Sequence, residues 1–349
     1  MSLSLLFKIK GIETKYVAVF WIIVLSFMTA VRYEVGTDYD SYVQLFSAAP
    51  TLGHMLPKTL YIEWGAYLSM VFIKTIFGHV EYWFLFTSLI SFTAVYCAIR
   101  NLFPQILGEA LLVYFSFFFL QNHFNIVRHG VMAAFLWFAF SCIPQKQLTK
   151  YLLAMAVAIL FHISAVFFVP MYWILNRQFP NYLTIVILVV LFIGGNVLQQ
   201  YIFSLPFTGE IGEAMTYYTQ VYYKGQEVDN TLSFGILVYS FIYLFICFSA
   251  SRYDSVLNFK LVKNALFFSL CILFLFKGAG VFSERFGGIL NISLIFIMPL
   301  LVNSYKGTVR HICRFLLILY CVLLLYRNLS SYNMSEGKLQ FLPYKTVLF

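Results

Sequence analysis

Ionisable residues beside long apolar runs are the most informative feature of this 349-residue chain, because burying a charge in apolar surroundings is costly. Arg32 ends the first run and is followed by Gly36, Thr37 and Asp38, with Asp40 two residues later. A glycine before a polar pair permits a tight turn, which could hold an acidic side chain at the membrane surface. A snorkelling arginine followed by a solvated turn explains the same pattern equally well.

A second segment, QNHFNIVRHGV, places Arg128 between two strongly apolar stretches. If the segment is a continuous helix, Asn125, Arg128 and His129 occupy one face. Arginine offers paired donors in a fixed geometry that suits phosphate oxygens. The segment therefore predicts a phosphate-binding arginine, and the alternative is an arginine that anchors a helix end at the membrane interface.

Two further segments carry single candidates. His162 lies in LFHISAVFFVP with Ser164 close behind, and the cost of a histidine at membrane depth suggests a functional role. The alternative is a histidine that is hydrogen-bonded to a neighbouring helix. Glu284 and Arg285 stand together between two apolar runs. Arg285 facing an outward cavity is the functional interpretation, and a local ion pair is the alternative.

The polar stretch 204–230 combines acidic residues with tyrosines, including Tyr217 and Tyr218. Hydroxyl hydrogen bonds and ring stacking are typical of sugar recognition, although an ordinary exposed loop can have the same content. The sequence has no nucleotide-binding P-loop and no H-E-x-x-H motif, so ATP-driven transport and zinc proteolysis have no support.

The elements that position these residues are predicted to be membrane helices. The chain is 61% hydrophobic and 11% charged, whereas a soluble protein has about 25% charged residues. We predict an all-α, polytopic membrane bundle of about 10–11 transmembrane segments, forming a single domain over 1–349. The apolar runs are 16–32, 64–78, 82–99, 107–122, 125–143, 151–175, 182–202, 231–250, 264–282, 286–304 and 311–326.

The net charge of +9 is explained by basic residues in short connectors and does not indicate nucleic-acid binding. By the positive-inside rule, three basic clusters are cytoplasmic: 8–15, 252–263 and 306–314. The opposite side then receives the loops 33–62, 204–230 and 283–285 and the tail after Arg327. The six cysteines lie in or beside apolar runs without C-x-x-C spacing, so they predict neither disulfides nor a zinc site.

Two arrangements of the middle of the chain satisfy these anchors. Eleven simple crossings leave Arg128 on the cytoplasmic side. If 64–78 is re-entrant or interfacial and 151–175 is a hairpin, Arg128 faces outward instead. The second arrangement fits the positive-inside rule better and is preferred, because it makes three further basic residues cytoplasmic: Arg100, Lys146 and Lys150.

Taken in order, the segments resemble the EpsG-like, Wzy-type family of bacterial polysaccharide polymerases, over residues from about 30 to 300. They are Arg32 with VGTDYDSY, Glu63 before an apolar run, NIVRHGVMAAF, LFHISAVFFVP and SERFGG. The family usually has Gln after the motif arginine, where this chain has His129, so the role of that neighbour stays open.

The resemblance implies a GT-C-like membrane glycosyltransferase in the bacterial inner membrane, with its active site facing the periplasm. It would transfer a growing glycan from undecaprenyl diphosphate to the non-reducing end of a lipid-linked repeat unit, as in O-antigen and lipopolysaccharide biosynthesis. It implies no nucleotide sugar, no metal and no other cofactor. The expected partners are the undecaprenyl-diphosphate-linked oligosaccharide and the bilayer, with a chain-length regulator protein as a further candidate and no nucleic acid.

Within that activity, arginines would neutralise the lipid diphosphate as it leaves. Arg128 and Arg285 are the first candidates and Arg32 is the third. Asp38 is favoured over His162 as the general base, because it lies on the polar side. The remaining predicted substrate-binding residues are Asp40, Glu63, Tyr217 and Tyr218.

Two other functions would use similar features. An O-antigen ligase would need the same diphosphate-binding arginines and a large outer loop. A flippase or transporter of lipid-linked oligosaccharide predicts charges spread through several spans and paired repeats. The charged residues of this chain cluster at one membrane face, which favours an enzyme. An accessory scaffold explains these ionisable residues least well.

Overall fold

The computed structural model describes residues 14–54, 62–203, 234–253, 255–277, 280–333 and 337–348. These residues are almost entirely helical. The helices are α1 (Thr14–Ala30), α2 (Tyr39–Ala48), α3 (Trp64–Phe77), α4 (Val80–Leu102), α5 (Leu107–Phe117), α6 (Val127–Ser141), α7 (Leu148–Phe161), α8 (Met171–Ile174), α9 (Asn181–Phe203), α10 (Phe234–Phe248), α11 (Ala250–Tyr253), α12 (Phe259–Leu275), α13 (Gly280–Asn291), α14 (Leu294–Asn303) and α15 (Gly307–Leu329).

Four segments of the described chain are long and apolar enough to cross a bilayer: Val80–Leu102, Asn181–Ile202, Arg285–Asn303 and Gly307–Leu329. Six shorter apolar helices of 10–17 residues accompany them. Large apolar side chains such as Phe20, Ile23, Phe315 and Leu323 are exposed, as expected for surfaces in contact with lipid. The prediction of an all-α polytopic membrane protein is confirmed.

The chain forms two compact units. Unit 1 comprises residues 1–172 and 298–349, and unit 2 comprises residues 173–297. In unit 1, α4 packs against α1, α3 and α6, and α6 packs in turn against α7. Trp83 of α4 and Trp137 of α6 are fully buried in this core. Each buries a large apolar surface, so α4 and α6 form the rigid centre of unit 1.

Unit 2 is built around α12, which packs against α9, α10 and α13. Ser269 joins α12 to α13: its hydroxyl lies 2.8 Å from the Gly287 carbonyl oxygen and 2.7 Å from Asn291 Oδ1. Tyr243 of α10 stacks on Phe267 of α12. Small polar side chains that bond between helices are a common way to hold apolar helices together in membranes.

Two predicted stretches can be compared with the observed helices. The run 151–175 is interrupted: α7 ends at Phe161, and His162 has extended backbone angles before a 3₁₀ turn, Ile163–Phe168. This break agrees with the preferred arrangement, which divides the run as a hairpin. The prediction that 283–285 is a connector is wrong: these residues lie inside α13, and the interruption falls after Leu275 instead. The neighbouring charges of Glu284 and Arg285 suggested a connector, but charged residues can also lie within a helix.

After α15, a short antiparallel pair, β1 (Tyr332–Asn333) with β2 (Lys338–Leu339), leads into a segment that we call the strap, residues 340–347. The strap runs along the loop after α1. The Gly36 amide donates to the Gln340 carbonyl at 3.0 Å, the Tyr33 amide donates to Lys345 at 2.9 Å, and the Val347 amide donates to Val31 at 2.9 Å. Residues about 300 positions apart are thereby joined in unit 1.

Candidate functional site

The site is built around the loop 31–38, which leaves α1 after Ala30. Gly36 adopts φ +96, a conformation that glycine enters without steric cost. A Cβ atom at this position would lie 2.6 Å from the Phe124 carbonyl oxygen, so the loop approaches residue 124 too closely for a side chain. The sequence prediction of a tight turn at this glycine agrees with the structure.

Arg32 lies fully buried under this loop. Its Nη1 donates to the His123 carbonyl oxygen at 2.9 Å, and its guanidinium carbon lies 4.2 Å from the ring centre of Phe84 and 4.9 Å from that of Phe124. Among the described residues, Nε and Nη2 have no hydrogen-bond partner. Arg32 is therefore a cation enclosed by aromatic rings, with donors left over for a further acceptor.

The segment before Arg128 is not a continuous helix, so the prediction that Asn125, Arg128 and His129 share one helical face is wrong. Gln121–Asn125 forms a π-helical turn, Ile126 leaves helical geometry, and α6 begins at Val127. The turn frees Asn125 for another role: its Oδ1 accepts the Thr37 amide at 2.9 Å. π-helical turns of this kind are frequent at functional sites.

Arg128 forms an ion pair with Glu63 through Nη1, and both side chains are partly buried. Its backbone N–H donates to the Tyr42 hydroxyl at 3.5 Å, which ties α6 to α2. The buried Nε of Arg128 has no hydrogen-bond partner among the described residues. Two residues that the sequence predicted separately as substrate-binding are thus neighbours, and the arginine keeps donor capacity for an anion.

Asp38 stands immediately before α2, half-buried, where Thr37 Oγ1 donates to its Oδ1 at 3.1 Å. Asp38 also interacts electrostatically with Arg32 and with Tyr42. Asp40 lies in the first turn of α2 and is exposed. Of the two carboxylates, Asp38 is therefore the one placed among the cationic groups of the site.

Tyr42 is buried between these groups. Burial raises the pKa of its phenol, and the nearby Arg128 opposes that shift. A raised pKa keeps the hydroxyl protonated at neutral pH, so Tyr42 can donate a hydrogen bond while it accepts one from the Arg128 amide. Tyr42 ends the segment VGTDYDSY, but nothing in its residue type or position predicted this contact with Arg128.

His162 occupies the extended residue between α7 and the 3₁₀ turn. Its Nδ1 lies 2.8 Å from the Ser164 hydroxyl and 3.3 Å from the Ser164 amide, and its ring packs edge-to-face against His129 at 5.6 Å. His129 directly follows Arg128. The structure therefore brings the predicted His162 next to the Arg128 segment, which the sequence could not show.

The remaining predicted site residues are Arg285, Tyr217 and Tyr218. Arg285 is exposed on α13 in unit 2. Tyr217 and Tyr218 lie outside the described residues. Unit 1 brings the other predicted residues into one region: Arg32, Asp38, Asp40, Glu63, Arg128 and His162. Within the described part of the chain, His, Cys, Asp and Glu side chains form no group of three or more that could hold a metal ion.

The strap is the part of this region that the sequence did not predict. Gln340 Oε1 accepts from Asn125 Nδ2 at 3.4 Å, and Phe341 and Tyr344 pack edge-to-face on Phe124. Lys345 pairs with Glu34 at 2.7 Å, and its contact lowers the pKa of the Glu34 carboxyl. The loop 31–38 is therefore held both by the strap and by the π-helical turn.

Comparison with known proteins gives one result. A family model described as the EpsG family matches residues 15–346. Neither the curated proteins nor the solved structures contain a match to this chain.

Proposed function

This chain belongs to the EpsG family, and from that premise we propose that it is a membrane glycosyltransferase that polymerises a bacterial polysaccharide. In this proposal it transfers a growing glycan from undecaprenyl diphosphate to the non-reducing end of a lipid-linked repeat unit. The reaction takes place at the periplasmic face of the inner membrane.

One observation carries the proposal for the site. Arg128, with an unpaired guanidinium nitrogen, lies beside Glu63 and Tyr42 at a break in the backbone, and Asp38 reaches the same group of residues. Electrostatic stabilisation is strong where water is scarce. A lipid diphosphate leaves with increasing negative charge, so a partly buried arginine is suited to stabilise it.

In the proposed step, the acceptor hydroxyl attacks the anomeric carbon of the glycan. The bond from this carbon to the diphosphate oxygen breaks, and undecaprenyl diphosphate leaves with the electron pair. Asp38 takes the proton from the attacking hydroxyl. Arg128 binds the leaving diphosphate through the donors that Glu63 does not use.

The other predicted residues have supporting roles. Arg32 is fully buried, so we assign it to positioning the loop 31–38 and to raising the positive potential of the site. His162 is engaged with Ser164 and His129, which favours Asp38 as the base. Arg285 remains a proposed second diphosphate ligand, and Asp40, Tyr217 and Tyr218 remain proposed glycan ligands.

The test is polymerisation in vitro by the purified chain, supplied with its lipid-linked repeat unit, with and without a chelator. We expect a ladder of longer glycans on undecaprenyl diphosphate in both conditions. Repeat units that stay single but appear on the opposite side of a vesicle would indicate a transporter. Loss of chain growth in chelator alone would show that a metal, and not Arg128, neutralises the diphosphate.

A further inference from the structure

Unit 2 contains a cavity that the proposed reaction does not use. It lies where α9 and α12 begin and α10 ends, and its volume is about 840 Å³. Its polar lining consists mainly of cationic and amide side chains, among them Arg177, Lys260, Lys263, Asn181, Asn258 and Asn264. A volume of this size is typical of sites for small molecules and cofactors.

The charge of the lining has one sign. Arg177, Lys260 and Lys263 each contribute a positive charge, and no described lining residue carries a carboxylate. Arg177 and Lys260 are exposed and Lys263 is partly buried, and the shared positive charge of the three favours an anion in the cavity. The N-termini of α9 and α12 add positive partial charge at the same end.

The walls of the cavity are held in place by two asparagines. Asn181 donates to the Cys247 carbonyl at 2.8 Å and accepts from Lys263 Nζ, so it fixes the lysine against the end of α10. Asn264 is buried and donates to the carbonyls of Leu175 and Arg177 at 2.9 Å and 2.8 Å. Lys263 and the backbone at Arg177 are thus preorganised, which reduces the entropy lost when a ligand binds.

We propose that this cavity binds a phosphate group. Several cations together with amide donors match the multiple oxygens and the charge of phosphate better than those of a single carboxylate. The basic segment 252–263 is predicted to lie at the cytoplasmic membrane surface, where phosphate is present both in anionic lipid headgroups and in soluble compounds. The site is independent of the polymerase reaction proposed for unit 1.

Two arms of one experiment distinguish these sources, using the full chain in lipid nanodiscs. In the first arm, nanodiscs of phosphatidylcholine alone are titrated with inorganic pyrophosphate, and the thermal unfolding midpoint is followed. In the second arm, pyrophosphate is omitted and phosphatidylglycerol replaces part of the phosphatidylcholine. A midpoint that rises in the first arm identifies a soluble ligand, and one that rises only in the second identifies a headgroup.

Variants show whether the cavity is responsible. We expect Lys260→Gln and Lys263→Gln each to raise, by about tenfold, the ligand concentration needed for the same rise in unfolding midpoint. Lys263→Arg should keep the wild-type response. Arg252→Gln is the control, because Arg252 is exposed in the same basic segment but does not line the cavity. Elution as a single peak in size-exclusion chromatography confirms that each variant is folded.

The proposal is overturned if the wild-type midpoint responds in neither arm. It is also overturned if Arg252→Gln weakens the response as much as the lysine variants, since the effect would then belong to the basic surface as a whole. Either result leaves the polymerisation assay unaffected, so failure of this site is distinguishable from failure of the proposed function.

Discussion

Among the described residues of unit 1, two arginine–glutamate pairs look alike and differ in their surroundings. Arg128 pairs with Glu63, and Arg314 pairs with Glu109 at 2.9 Å. The arginine side chains are 26% and 23% exposed, and each arginine has a buried Nε without a hydrogen-bond partner among the described residues. Neither burial nor pairing therefore distinguishes a reactive site from a structural contact.

The backbone around the two pairs does distinguish them. Glu109 and Arg314 project from regular helices, α5 and α15, and Asn303 lies 3.4 Å from the same Arg314 nitrogen. Arg128 follows a π-helical turn, and that turn contacts the loop 31–38 with its glycine at positive φ. Irregular backbone of this kind is frequent at functional sites. We therefore place the chemistry at the Arg128 pair.

The largest expected effect in the site around Arg128 comes from the proposed general base, Asp38. Asp38→Asn keeps the size of the side chain but removes its ability to accept a proton, so we expect chain growth to slow by about 10² to 10⁴. The measurement is the initial rate of glycan elongation in the purified system. Glu81→Gln is the matched control, because Glu81 is a nearby carboxylate that interacts with Tyr39 and lies outside the proposed site. Equal rates for Asp38→Asn and wild type would exclude Asp38 as the base.

The comparison of the two pairs is tested directly by truncating both arginines. Arg128→Ala removes the group that stabilises the leaving diphosphate, so we expect elongation to fall by about 10² to 10³. Arg314→Ala breaks a pair of similar burial and should change the rate by less than about threefold, since breaking that pair affects folding more than chemistry. Elongation rates are normalised to the amount of folded protein. If both variants lose the same activity, the irregular backbone does not identify which of the two pairs takes part in the reaction.

A smaller effect is expected from the shape of the loop. Gly36→Ala adds a Cβ atom 2.6 Å from the Phe124 carbonyl oxygen, so the loop must shift, and we expect elongation to fall by about tenfold. Gly78 also has positive φ, but no atom lies within 4 Å of its added Cβ. Gly78→Ala therefore has the cost of placing alanine at positive φ, about 1 kcal/mol, but the added Cβ atom displaces no neighbouring atoms. Similar elongation rates for the two variants would show that backbone strain alone, and not the position of the loop, matters.

The smallest effect concerns the strap. Lys345 lowers the pKa of Glu34, so their ion pair stabilises the folded strap above the unfolded pKa of Glu34 and is lost as the pH falls through the folded value. We expect Glu34→Gln to speed amide hydrogen exchange in residues 340–347 at pH 7 and to match wild type at a pH low enough to protonate Glu34 in the folded state. Both side chains are exposed, so the effect is modest. A difference that is the same at both pH values would show that the charge of Glu34 does not hold the strap.

Much of this arrangement follows from the sequence. Long apolar runs predict the helices, because few other structures satisfy backbone polar groups in lipid. Arg32, Asp38 and Arg128 stand out because charges beside such runs are rare. Gly36 was predicted at a turn because glycine tolerates positive φ. These predictions depend on local composition, which the sequence records directly.

What the sequence did not predict depends on contacts between distant residues. The Arg128–Glu63 pair joins positions 65 apart, and the contact between Gly36 and Gln340 joins positions about 300 apart. No local pattern encodes either one. The predicted apolar runs 107–122 and 125–143 already divide near this point, but Gln121–Asn125 contains neither glycine nor proline, so its composition does not predict a π-helical turn. Its stability comes from packing, with Gly130 allowing the Asn122 carbonyl to approach α6 closely.

The strap also has a consequence for membrane topology. Because residues 31–36 and 340–347 are hydrogen-bonded to each other, they lie on the same side of the bilayer. The chain between them must therefore cross an even number of times. If α1 is the first crossing and the basic residues 8–15 are cytoplasmic, the total is odd. Of the predicted 10–11 crossings, an odd total selects eleven, or nine if two segments turn back. With residues 8–15 cytoplasmic, residues 31–36 and the strap must then both reach the outer side before they can pair.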